Sequence, residues 1–272
     1  MLTNKYTLKG VVDMRTNIFV VIVYAMISFS SLNSSEFSFR KYNHVKEFYF
    51  NNTEDAIKLS IKHNLPPAAI LAIAGLESGY GSGYVSQITG NILSLGAFKS
   101  DKELPSLYLP YSKSSKKVLF DPKEIKKYQI NDLIWKQRDK SLKRDYRPFP
   151  YAGTTKKLEL LLYDNVLRKK ATRACFNDFA TRWITKDSNI KAFREAKIWL
   201  SSIVKKEGKA VLFTKKINIE FIYKIGGHPS SFNYRKTWPK KVKLIMMKVG
   251  LVKLTNDMHF KSMNFNTAWS NK

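Results

Sequence analysis

One carboxylate stands out among the residues that could do chemistry. The segment Ile70-Leu-Ala-Ile-Ala-Gly-Leu-Glu-Ser-Gly-Tyr-Gly-Ser-Gly83 is apolar up to Glu77 and glycine-rich after it. At helical spacing Ile70, Ile73, Ala74 and Glu77 share a face, which puts an acid on a core-directed stripe where acids are uncommon. Gly79 and Gly81 are natural terminators, so Glu77 falls in the last helical turn. Partial burial and the negative end of the helix dipole both disfavour an ionised carboxyl there. A carboxyl kept protonated near neutral pH is what a general acid for glycosidic cleavage requires. The alternative has Glu77 ending its helix at the surface or capping a backbone amide, and spacing alone leaves both readings open.

Other chemistries are poorly supplied. Gly79, Gly81 and Gly83 follow a helix, whereas a dinucleotide fingerprint needs a preceding strand. They suit a sharp turn that brings backbone near a ligand. His44, His63, His228 and His259 are scattered, with no metal-ligand spacing, so neither metal nor cofactor is expected. No Gly-x-Ser-x-Gly elbow or Walker loop occurs. Cys175, the single cysteine, sits among apolar neighbours and reads as a packed thiol.

The stretch from Leu71 to Phe98 resembles the signature of the bacterial glucosaminidase family, the flagellar-muramidase and autolysin group. The residues that carry the likeness are Glu77-Ser-Gly-Tyr-Gly81 and, after Thr89-Gly90, Asn91-Ile-Leu-Ser-Leu-Gly-Ala-Phe98. It covers about residues 54–112. It resumes at Tyr223-Lys-Ile-Gly-Gly-His228 and Trp238 to Leu251, similar to the family's closing tyrosine loop and last helix. Between about 113 and 215 the match is poor, which suggests an enlarged middle region.

This resemblance implies a mainly α (α+β), lysozyme-like fold: a helical lobe and an irregular, loop-rich or small-β lobe flanking a cleft. It implies cleavage of the β-1,4 glycan linkage of peptidoglycan, on the N-acetylglucosamine side, without cofactor. Glu77 maps onto the catalytic acid and Tyr223 onto an assisting tyrosine. Tyr80 and Asn91 map near the sugar cleft, although packing and turn formation explain them equally well. The aromatic run adds Tyr108 and Tyr111 as sugar contacts. For a second carboxylate the sequence offers Asp101, Glu103, Asp121 and Glu124 without selecting one. A lytic transglycosylase or muramidase, and a non-catalytic wall- or nucleic-acid-binding module, are the competing expectations.

The elements that must position these residues follow from periodicity. Residues 36–52 read as an exposed lead-in, and Asn52-Thr-Glu-Asp55 as the start of a short helix ending near His63. Pro67 opens the next helix, about Ala68 to Ser78. Helical spacing returns near Lys156–Arg168, Ala174–Ile184, Ile190–Lys205 and Pro239–Val249, and any strands lie between about 90 and 150. One catalytic domain over 53–255 is expected, with 256–272 a tail. The chain has 272 residues, enough for one sizeable core.

The first 35 residues set the expected compartment. Lys5, Lys9 and Arg15 precede the uncharged run Ile18 to Phe29 and a serine-rich tail, the pattern of an export signal or N-terminal membrane anchor. The formal net charge is +27. Nucleic acid, an anionic membrane and an anionic envelope polymer all fit such a charge, and export argues against nucleic acid. The expected partners are thus peptidoglycan strands and the anionic envelope, met by a monomer in the periplasm or cell envelope.

Overall fold

A computed structural model describes residues 37–98, 100, 101, 107–137, 148 and 164–271. The export segment and Glu103 lie outside them, as does most of the helix expected from Lys156. A 3-10 turn over Ser38–Lys41 leads into α1 (Asn43–His63), α2 (Pro67–Ser78) and α3 (Tyr84–Thr89). Three short strands follow, β1 (Tyr108–Ser112), β2 (Lys117–Val118) and β3 (Leu133–Gln137), with the single turn α4 (Pro122–Ile125) between the last two. The second half is helical: α5 (Asn165–Asp178) running into a π-helical turn (Phe179–Trp183), α6 (Lys191–Glu207), α7 (Lys215–Ile225), α8 (Trp238–Val249), α9 (Leu251–Phe260) and α10 (Phe265–Ser270). The strands form one antiparallel sheet of order β2-β1-β3. Among the described residues no helix is long and apolar enough to cross a membrane.

α2 is the axis of the molecule. Pro67 opens it without wasting a backbone donor, and Gly79 closes it at φ 56. Every residue from Pro67 to Gly75 is buried, so the helix is enclosed on all sides and has no single apolar stripe. α1, α7, α8 and α9 pack around it. Each enclosed Leu or Ile side chain here contributes about 1.5–3 kcal/mol by leaving water.

Three boundaries differ from expectation. The lead-in 36–52 is not exposed: α1 begins at Asn43, and Val45, Phe48, Tyr49 and Asn52 form its buried stripe against α2. Phe48 and Tyr49, three and four residues on from Val45, outweigh the polar residues around them. The region 256–272 is not a tail, because Asn264 caps α10 and Phe265, Ala268 and Trp269 are buried. Nor does the region read as an enlarged middle, about 113–215, stand wholly apart, because its part 164–213 packs with α2. Cys175, Phe179, Phe193 and Leu200 belong to the same core as α2. Burial pushes the Cys175 thiol up to about 12, which fits a packed cysteine.

Asp257 gathers the C-terminal helices. Its carboxylate is almost fully buried and accepts from Lys253 (2.7 Å) and Asn271 (2.8 Å), with Lys261 at 2.7 Å. Burial alone would raise its pKa, but the two lysines and the Asn271 amide hold it below the ordinary carboxylate value. A depressed native pKa adds stability above the unfolded-state value and loses it as pH falls through the native one. The unfolding midpoint is therefore expected to drop on acidification below about pH 4. Asp257→Asn should lose that part of the pH dependence in a thermal-unfolding series.

Candidate functional site

Glu77 occupies the last turn of α2, half-buried. The turn that follows is built around Ser78. Its hydroxyl donates to the Ala74 carbonyl (2.6 Å) and accepts from Gly81 N–H (2.8 Å), while the Ser78 carbonyl accepts from Gly83 N–H (2.9 Å). Gly79 and Gly81 supply left-handed backbone at φ 56 and 73, which glycine adopts without strain. The Glu-Ser-Gly-Tyr-Gly run is therefore a helix-ending knot that fixes where Glu77 stands.

Its carboxylate is held from 161 positions away. Trp238 Nε1–H donates to Glu77 Oε1 at 2.7 Å. An indole only donates, so Oε1 is the acceptor of this bond. Trp238 opens α8, and its ring lies over Gly226 and against Phe232, with ring centroids 5.3 Å apart. A methyl group on Gly226 would overlap Cε3 and Cζ3 of that ring, and one on Gly227 would stand 2.7 Å from Pro239 Cγ. The Gly226-Gly227 pair is thus the seat of Trp238-Pro239. Gly226→Ala is expected to cost about 1–3 kcal/mol of stability through overpacking. It should also displace the indole and lower any activity that depends on Glu77, as unfolding curves and assays on the same preparation would read.

From Trp238 an aromatic run continues through Phe232 to Phe179 and Phe193, and on to Trp183 and Phe98. Phe98 stacks on Trp183 with centroids 4.3 Å apart, and Arg182 lies over the same Phe98 ring. Trp183 and Arg182 sit in the π-helical turn, a distortion often found at functional sites.

The three second-acid candidates among the described residues are engaged in pairs or caps. Asp101 pairs with Arg182 and accepts from Phe98 N–H at 2.9 Å. Asp121 caps the turn α4 by accepting from Lys123 N–H (2.9 Å). Glu124 pairs with Lys117 at 2.9 Å.

Four expected sugar or helper residues are also repositioned. Asn91 is buried and clamps its own loop, donating to the Leu95 carbonyl and accepting from Leu95 N–H, both at 2.9 Å. Tyr108 and Tyr111 are an odd number of residues apart on β1, so they project from opposite faces of the sheet and cannot line one subsite together. Tyr223 is on the outer side of α7, because Phe221, Ile222 and Ile225 take the core side. That segment reaches the site through Gly226 instead.

Tyr80 lies on the other side of α2 from Trp238. Its ring folds back over Gly75, within 3.2 Å of where a Cβ there would lie. Gly75 and Glu77 are 200° apart around α2. Tyr80 consequently packs toward α1, beside His44, Phe48 and Tyr49, and away from the Trp238 side. Burial raises its hydroxyl pKa to about 12.

Sequence reasoning missed Trp238 and Gly226 as site residues. The signal was the Gly-Gly pair followed by Trp-Pro at the start of a helix. Among the described residues no three His, Cys, Asp or Glu side chains gather into a metal-binding group. Comparison of the chain with models of known families, with curated proteins and with solved structures returned no match.

Proposed function

We propose that this chain cleaves the β-1,4 glycan linkages of peptidoglycan, as an exported endo-β-N-acetylglucosaminidase with Glu77 as general acid. The observation that carries the reading is the placement of Glu77. It is a half-buried carboxyl at the end of an enclosed helix, oriented through one oxygen by Trp238. Its other oxygen delivers the proton to the glycosidic oxygen as the C–O bond breaks, and the resulting carboxylate then takes a proton from the incoming water. The lysozyme-like arrangement belongs to this proposal, with the α2 end on one wall of the cleft and the small sheet lobe on the other.

Asp101, Asp121 and Glu124 are engaged in pairs and caps and Glu103 lies outside the described residues; the proposed mechanism uses Glu77 as its one protein acid. The substrate's 2-acetamido oxygen attacks the anomeric carbon and is displaced by water. The same economy suits a lytic transglycosylase, in which the muramic 6-hydroxyl is the nucleophile. Mass spectrometry of fragments released from purified wall separates the two. Reducing-end N-acetylglucosamine supports the hydrolase, 1,6-anhydromuramic ends support the transglycosylase, and no release at all overturns both.

A further inference from the structure

A cavity of about 800 Å³ lies between α1, α5 and the turn joining α2 to α3, and Glu77 is not among its lining residues. One wall is the α1 stripe His44, Glu47, Phe48, Asn51 and Asn52, at helical spacing. The facing wall is the N-terminal two thirds of α5, with Arg168, Lys169, Lys170 and Arg173. Tyr80, Gly81 and Gln87 close one end. Arg173 is paired with Asp55 at 2.6 Å. Lys169 and Lys170 are both exposed, and Glu54 of α1 feels the charge of Lys169. Asn165 and Val166, from the first turn of α5, also line it, and that helix end is capped by Asp164, which accepts from Leu167 N–H at 2.9 Å.

The two walls differ in kind. Cations stand on the α5 side, whereas the α1 side presents uncharged amides, aromatic rings and one carboxylate, Glu47. The Tyr80 side chain is neutral at neutral pH, so it does not repel an anion. Such a groove fits a chain with anions along one edge and sugar rings along the other. A polymer charged at every backbone unit would place phosphates against Glu47.

We propose that this groove is a second, non-catalytic binding site for a carboxylate-bearing glycan strand, its carboxylates on Lys169 and Lys170 and a sugar face against Tyr80. The inference rests on the wall-polymer reading above and names the part of the strand held away from the bond being cut. Holding the strand at two places keeps a processive or surface-bound enzyme on its substrate between cleavages.

The test uses the full chain carrying Glu77→Gln, so that bound strands are not consumed. Its probes are soluble glycan strands with free stem-peptide carboxylates, the same strands after amidation, a glycerol-phosphate polymer and a single-stranded oligonucleotide. Adding Lys169→Gln with Lys170→Gln is expected to weaken binding of the carboxylated strands about tenfold and to flatten the log–log salt dependence by roughly one to two. Amidated strands should bind like the double-lysine variant. Unchanged affinity in that variant, equal binding of amidated strands, or tighter binding of either phosphate polymer overturns the groove. Lysis is read separately in the chain with Glu77 intact. Binding without lysis sinks the hydrolase and leaves the groove, and lysis with lysine-independent binding does the reverse.

Discussion

Glu77→Gln is expected to lower the rate of wall lysis by roughly 10²–10⁴-fold, the usual contribution of a positioned general acid. That corresponds to about 3–5 kcal/mol of transition-state stabilisation. The substitution is close to isosteric, and the glutamine carbonyl still accepts the Trp238 indole N–H that now bonds Glu77 Oε1 at 2.7 Å. The fold and the aromatic run behind Trp238 should therefore persist, and only the transferable proton is lost. Thermal unfolding within about 1 °C of the parent chain, together with a blank zymogram lane, is the expected pair of results. Alanine would be a poorer probe, because it leaves the buried Trp238 indole donor unsatisfied at a cost of about 1–3 kcal/mol. Trp238→Phe complements the experiment. It keeps a ring over Gly226 but removes the donor, so the Glu77 carboxyl stays and loses its orientation. Activity should fall in that variant less than in Glu77→Gln. Lysis by Glu77→Gln at a rate near that of the parent would sink the proposed mechanism.

The dependence of Glu77 on Trp238 also explains which parts of the molecule the sequence made legible. The ends of α2 were readable because local chemistry sets them: Pro67 at the first turn and the αL glycines after Ser78. The position of the strands between residues 90 and 150 was readable too, since turn-rich, weakly periodic sequence offers little else. The face of Glu77 was harder. A helix whose residues are buried from Pro67 to Gly75 has no polar side, so periodicity could not say which neighbour the carboxylate meets. The Trp238 hydrogen bond spans 161 residues, and no local rule reaches that far.

Proximity in sequence misled in the opposite direction. Tyr80 is three residues from Glu77, but the left-handed turn, with Tyr80 itself at φ 55, carries its ring back toward α1. Asn91 was recognised as either a sugar contact or a turn former, and its two bonds to Leu95 make it the latter. α1 was cut short because Asn43 to Asn52 is polar in composition. Its buried set, Val45, Phe48, Tyr49, Asn52 and Ala56, nevertheless follows the i, i+3, i+4, i+7 rule. The same oversight hid α10, where only Phe265, Ala268 and Trp269 mark the stripe.

The largest effect on stability is expected from Arg40, just upstream of α1. Its guanidinium donates to the Val249 carbonyl at 2.7 Å, Gly250 at 3.3 Å, Ala268 and Asn271 at 3.2 Å, and also to Trp269. These are the C-terminal carbonyls of α8 and α10, so the negative ends of two helices converge on one cation. The group also lies 4.4 Å from the Phe37 ring centroid and 5.1 Å from that of Trp269. Burial lowers its pKa to about 10, with Asp257 pulling it back up, and it is charged at neutral pH. Arg40→Ala removes the shared partner of five carbonyls at once. With charge-assisted bonds worth about 1.5–3 kcal/mol each and far from additive, the expected loss is about 3–5 kcal/mol. For a domain of this size that lowers the unfolding midpoint by roughly 6–20 °C. Arg40→Lys should recover little, since an ammonium cannot fork across two helix ends. α8 carries the Arg40 clamp at one end and Trp238 at the other, so the pair of variants separates anchoring from catalysis. If Arg40 acts only as a staple, lysis measured well below the lowered midpoint is retained in Arg40→Ala. If it also sets the axis of α8, lysis falls even where the chain is fully folded, and Gly226→Ala should fall with it. An unfolding midpoint unchanged by Arg40→Ala would show that the N-terminal turn is not what holds these helix ends together.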